Sequence, residues 1–254
     1  MRITLGGRQW IADMRHALDL SLPLDFSGPQ PTFFATPRAT ASPYAVGSFI
    51  GDVGRSGSCN CSTHVLTPHC NGTHTECVGH ITRELVSVRD VAPRDLQLAR
   101  VATVSATRAI ERSHLDAVAL DGHTAIVVRT LPNDATKLKR NYDRQPPVHF
   151  DSEAMRWLVE RGIDHVVVDL PSVDPAHDEG ALLAHRIFWG LPERETSIAR
   201  ATRPHATITE LAFIDAAVAD GDYLLNLQVA PFVSDAAPSR PLLYPLTRDP
   251  LIYE

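Results

Sequence analysis

Two short runs rich in β-branched residues, Thr124–Thr130 (TAIVVRT) and His165–Leu170 (HVVVDL), do most to limit what this chain can fold into. Both are short and strongly apolar, which predicts strands covered on both faces, as at the centre of a layered α/β fold. Helices are expected around them. Asp151 or Ser152 can cap a helix through Ala154, Met155, Trp157, Leu158 and Val159, which Gly162 stops. A second helix is predicted over Glu179–Trp189, ending at Gly190 with Pro192 beyond, and Asp174 and Asp178 lie upstream where negative charge suits a helix N-terminus. Further strands are expected at Leu18–Leu24, ending near Pro23, at Ala102–Ala106 and at Tyr223–Val229. The aperiodic stretch Phe26–Ala45 predicts a long surface loop, and the Pro-rich segment after Val229 is expected to drape over the surface. Strands and helices alternate without a repeat or a linker, so a single α/β domain over residues 1–254 is expected.

Composition removes several function classes. The hydrophobic fraction of 44% and charged fraction of 21% are those of an ordinary folded protein. The net charge of -6 and the absence of any Lys/Arg run argue against a nucleic-acid partner. No stretch approaches the roughly 20 apolar residues of a membrane helix, and MRITLGGRQWIADMRHALDL lacks a signal-peptide apolar region, so no membrane association and a cytoplasmic location are expected. All four cysteines, Cys59, Cys61, Cys70 and Cys77, lie close together, and a reducing compartment would keep them as thiols. Their spacing does not match the paired C-x-x-C knuckles of a structural zinc knot. Cys59 and Cys77 read as small buried residues. Gly51, Gly54 and Gly57 lack the Lys-Ser/Thr of a phosphate loop, and no G-x-S-x-G elbow supports serine hydrolase chemistry.

One segment has a different character. Between Pro68 and Ile81 stand His69, Cys70, His74, Glu76, Cys77 and His80, with Gly72-Thr73 before the central histidine. Imidazole, thiolate and carboxylate are the side chains that hold zinc and similar ions, so this density predicts a metal site. On an extended segment Cys70, His74, Glu76 and His80 share one face, and His69 needs a bend to join them. Glu210 stands in the apolar run Ile208–Ile214, where a carboxylate is costly to bury unless it is paired or holds a metal. Asp174 can orient a ligand histidine or cap a helix. His64 can line a pocket or face solvent, and Phe33, Phe34 and Tyr44 can contact a planar substrate or anchor their loop.

Gly72-Thr-His-Thr-Glu-Cys-Val-Gly-His80 resembles the H-x-G-T-H-x-D-x-P-x-H pattern of the metal-dependent cyclase/hydrolase family that includes bacterial kynurenine formamidase and isatin hydrolase. Other pieces agree in order: Asp19–Leu24 (DLSLPL), Val127–Thr130 (VVRT), Pro171–Pro175 (PSVDP) and Phe232–Pro241 (FVSDAAPSRP). The resemblance spans residues 17 to 242 and implies a swivelling β/β/α fold with a mixed central sheet, usually oligomeric. Carried over by position, it implies a divalent ion, zinc or manganese, held by His74 and by His69 or Cys70. Glu76 would bridge to a second ion that also takes His185 and Glu210, and His80 would be catalytic. Three positions depart from the pattern: Cys70 replaces the first histidine, Glu76 the aspartate and Val78 the proline.

The implied activity is hydrolysis of a small-molecule amide, N-formyl or cyclic imide/lactam bond by metal-activated water, with His80 moving a proton to the departing nitrogen. A cyclase or dehydratase using the same site, or a non-catalytic metal- or ligand-binding member, are the alternatives. The partners expected are a small-molecule substrate and further copies of the chain, as a dimer or tetramer.

Overall fold

The computed structural model describes residues 1–249, and its centre is a sheet that closes on itself. Of its ten strands, seven form the closed ring: β1 (His74–Glu76), β2 (Gln97–Ser105), β3 (Ala125–Leu131), β4 (His165–Val168), β5 (Thr207–Glu210), β6 (Gly221–Val229) and β7 (Ala236–Arg248). Around the ring the order is β7-β6-β2-β3-β4-β5-β1, and β1 pairs again with β7. Strands β2 to β5 are mutually parallel, while β6 and β1 run antiparallel to both their neighbours. The sheet is therefore mixed, as expected.

Parallel neighbours require crossover connections. A short helix α1 (Pro68–Asn71) precedes β1, whereas α2 (Ser152–Glu160) joins β3 to β4 and α3 (Leu183–Trp189) joins β4 to β5. Strand β3 shows why its first four residues, Ala125–Val128, are all apolar. Ile126 and Val128 pack with Trp157, Phe188 and Trp189 of the helices, and Ala125 and Val127 pack on the other face with Leu20, Ile214, Leu225 and Leu243.

The local signals act much as their chemistry requires. The Asp151 carboxylate caps α2 by accepting from the Ala154 N–H at 2.7 Å. Helix α3 begins at Leu183, later than expected. Asp178 accepts from the N–H groups of Gly180 and Leu182, holding a turn there, and Asp174 accepts from those of Ala184 and His185. Gly190 ends α3 at φ 63, and a Cβ there would lie 1.9 Å from Thr202 Oγ1.

Four expectations are corrected. The Leu18–Leu24 strand shrinks to Leu18–Asp19 beside β7, followed by a bridge from Ser21 to Ala212. The loop Phe26–Ala45 contains the strand Thr40–Pro43 and buries Gln30, Phe33 and Ala39. Cys59 is exposed, in a segment that leaves the ring, whereas Cys77 is buried. The Pro-rich stretch after Val229 does not drape over the surface. It becomes β7, because proline removes only the N–H: the carbonyls of Pro238, Pro241 and Pro245 accept from Ala230, Leu20 and Asp13. Among the described residues no helix is long and apolar enough to cross a membrane.

Candidate metal centre

The segment from His69 to His80 is not extended along its length, and this decides which side chains meet. Pro68 suits the first turn of α1, and that turn swings His69 towards β1 while Cys70 points elsewhere. The Cys70 thiol is buried, interacts with Thr36, and is pushed up in pKa mainly by that burial. Thr73 then ties the chain down: its hydroxyl bonds to the Leu211 carbonyl and accepts from the Leu22 N–H. On β1, His74 and Glu76 share a face, and Thr75 between them meets Thr209 Oγ1 at 2.7 Å. A 3₁₀ turn at Val78–Ile81 then folds His80 back towards Glu76.

Strand pairing supplies the rest. His74 lies opposite Glu210 of β5, and Glu76 lies opposite Ala236 at the start of β7. His185 enters from α3. The result brings together His69, His74, Glu76, His80, His185 and Glu210, along with Asp235. Three sets of donor atoms converge closely enough to hold an ion: His69, His74 and Glu76; Glu76, His80 and His185; and His69, His80 and Asp235. Cys70 and Glu210 belong to none of them, although Glu210 lies 3.5 Å from His74 Nε2 and 3.7 Å from His185 Nε2.

The imidazoles have a common arrangement. His74 Nδ1 bonds to the Gly72 carbonyl at 2.9 Å, which can only accept, so that nitrogen carries the proton. His74 Nε2 then faces inward, buried, without a hydrogen bond, 3.5 Å from Glu210 Oε2. His185 Nδ1 is bonded to Asp174 Oδ2, while its Nε2 lies 2.8 Å from Glu76 Oε1 and 3.7 Å from Glu210 Oε1. His69 Nε2 lies 2.8 Å from Asp235 Oδ2, while its Nδ1 lies 2.9 Å from Glu76 Oε2. Each ring is thus tied on its outer nitrogen and aims the inner one at Glu76 or Glu210. Glu210 Oε1 is itself fixed by the Val173 N–H at 2.8 Å.

These contacts shape the ionisation of the metal-free protein. Burial works against a charged His69, but its hydrogen bonds to Asp235 and Glu76 outweigh that and raise its pKa to about 10. Burial likewise opposes charge on His185, and the Glu76 and Asp174 carboxylates overcome it. For Glu76 burial favours the neutral acid, yet the charges of His80 and His185 hold the carboxyl well below its usual range. Hydrogen bonds from His69 and then His80 do the same for Asp235.

The description "Putative cyclase", of the Cyclase family, matches residues 18–175. The chain belongs to the Cyclase family. Kynurenine formamidase of Bacillus thuringiensis (strain Al Hakam) is 29% identical over 196 residues, covering 75% of this chain and 83% of the relative. In overall shape this family member is similar to a solved structure described as a predicted metal-dependent hydrolase from Bacillus stearothermophilus, with TM-score 0.64, 14% identity, and 90% and 98% of the two chains covered. Isatin hydrolase A from Labrenzia aggregata gives TM-score 0.62 and 13% identity over 90% and 93%.

Asp235 carries no signal of its own in the sequence, although it falls within Phe232–Pro241. Its only mark in the sequence is a carboxylate between Ser234 and Ala236, and the β1–β7 pairing that brings it to His69 is not visible in local pattern. Asp174 does both things considered for it, capping α3 and binding His185. His64 sits on an exposed strand, stacked at 4.4 Å on Phe26. Phe33 is buried beside Tyr142 and Leu211, which makes it a loop anchor, while Phe34 and Tyr44 are exposed.

Proposed function

We propose that this chain is a metal-dependent hydrolase of a small-molecule amide or N-formyl bond, with kynurenine formamidase as the nearest named activity among its relatives. The observation that carries the reading is the set of imidazoles tied on their outer nitrogens and turned inward on Glu76 and Glu210. The residues fit a divalent ion: His74 Nε2 is a buried nitrogen with no hydrogen bond, and its proton is committed to the Gly72 carbonyl. We assign His69, His74, Glu76, His185 and Glu210 to holding one or two ions. We leave Cys70 out, because its thiol is turned to Thr36, whereas His69, held on Nε2 by Asp235, turns Nδ1 to Glu76. Nitrogen and oxygen donors of this kind suit zinc and manganese alike.

A bound divalent ion would supply Lewis acidity, acidifying water and polarising a carbonyl oxygen. Hydrolysis forms a carbon–oxygen bond from water, breaks the carbon–nitrogen bond and leaves a proton to be delivered to the nitrogen. His80 is placed for that delivery. It is half-buried at the rim, with Nδ1 3.5 Å from Asp235 Oδ2 and 4.0 Å from Glu76 Oε2, so Nε2 is the atom left to exchange a proton with substrate.

The same reading includes a cytoplasmic homo-oligomer. Four free thiols, two of them exposed, support a reducing compartment, and light scattering on the purified protein tests the assembly. The deciding experiment is metal analysis of protein purified without chelator, followed by assays with N-formylkynurenine and isatin. Stoichiometric zinc or manganese, with hydrolysis of one substrate lost on chelation and restored by metal, is expected. Bound metal with no hydrolysis of any amide or formamide tested would overturn the reading.

A further inference from the structure

We infer that Asp235 is a positioning residue that holds His69 and His80 together, and that it sets both the affinity of the centre for metal and the efficiency of proton transfer. The inference rests on the function proposed above and adds to it a carboxylate outside the ligand set.

The geometry is specific. One oxygen, Asp235 Oδ2, lies 2.8 Å from His69 Nε2 and 3.5 Å from His80 Nδ1, and the two rings stand 4.3 Å apart at 33°. The carboxylate is itself fixed. Its Oδ1 accepts from Ser234 Oγ at 3.1 Å, and its backbone carbonyl accepts from the Cys77 N–H at 3.0 Å. Ala236, next in sequence, pairs with Glu76, so Asp235 stands at the point where β7 joins the strand that carries the metal-site residues.

Two features explain why such a residue is needed. His69 is carried on a single turn of helix and is partly exposed, whereas His74 and His185 are almost fully buried, so His69 has the least packing to fix its ring. An outer carboxylate supplies what packing does not, by bonding Nε2 so that Nδ1 is the nitrogen turned to Glu76, and by holding the ring in place. The second feature is the approach of the 3₁₀ turn. A Cβ added at Gly79 would lie 2.4 Å from the Val86 carbonyl oxygen and 3.1 Å from Asp235 Cβ. The chain therefore runs close enough to Asp235 to deliver His80 to the same oxygen.

The test compares the unsubstituted protein with Asp235→Asn and Asp235→Glu. Zinc affinity is measured by competition with a chromogenic chelator, alongside kcat and KM. Asp235→Asn is expected to weaken zinc binding about 10- to 100-fold, the effect typical of removing an outer carboxylate. With saturating metal it is expected to lower kcat at least ten-fold with KM within two-fold, and Asp235→Glu to recover part of both. Thermal melting of the metal-stripped variants checks that they fold, and Asp235→Glu gives a second reading should the Asn variant fail. Unchanged zinc affinity in a folded Asp235→Asn overturns the inference while leaving the proposed function in place. Failure of the unsubstituted protein to bind zinc or manganese overturns the proposed function and this inference with it.

Discussion

At the scale of single residues, the proposed ligands and the proposed proton carrier can be told apart by substitution. His80→Ala is expected to keep the metal stoichiometry of the parent and to lose kcat by about 10²- to 10⁴-fold, the span of general acid–base catalysis. Plasma emission analysis and steady-state kinetics on one preparation check both halves; departure of the metal would make His80 a ligand instead. His69→Ala and Cys70→Ser form the complementary pair. The first should weaken metal binding more than about a hundred-fold, beyond the loss typical of outer-sphere changes, and the second should leave it within two-fold. The reverse order, read by the same chelator competition, would return the ligand role to Cys70. His74 and Glu76 were legible as a pair because two-residue spacing on a strand puts both on one face. The choice between His69 and Cys70 was not, because it depends on one helical turn at Pro68–Asn71 that an extended reading of the segment misses.

At the scale of elements, legibility followed the strength of local signals. Helix α2 was readable from Asp151, its apolar stripe and Gly162 because each acts within a few residues. Asp151→Ala is expected to remove the cap and destabilise the fold by about 1 kcal/mol, lowering the melting temperature without touching the metal centre. Gly190→Ala should cost more, on the order of 1–3 kcal/mol, since it adds a side chain at positive φ and drives Cβ onto Thr202. Chemical denaturation of both variants tests the ranking, and an Asp151→Ala more damaging than Gly190→Ala would contradict it. The element least visible was β7. Its prolines argue against a central strand, and only long-range pairing shows that their carbonyls are the groups used.

At the scale of the whole molecule, stability should fall in mild acid. His165 is buried between strands, and burial lowers its pKa from 6.5 to about 4. Above 6.5 it is neutral folded and unfolded alike. As pH falls below 6.5 the unfolded chain takes up a proton that the folded chain refuses, so up to about 3 kcal/mol is lost by pH 4. His69 and His185 shift the other way: their stabilisation grows as pH falls towards 6.5 and is complete below it, so they add no slope in this window. Urea unfolding of metal-stripped protein at several pH values should show the fall, and His165→Asn should flatten it; an equal slope in both would exclude His165 as the cause. The ring itself has a temporal consequence. The His185–Glu76 contact joins residues 109 apart in sequence, and the His69–Asp235 contact joins residues 166 apart. Contacts of such long sequence separation slow folding, because the closing of their loops costs entropy first. A chain leaving the ribosome presents His69, His74 and Glu76 well before His185, Glu210 and Asp235, so the donors assemble into one cluster only when the late strands pair with the early one.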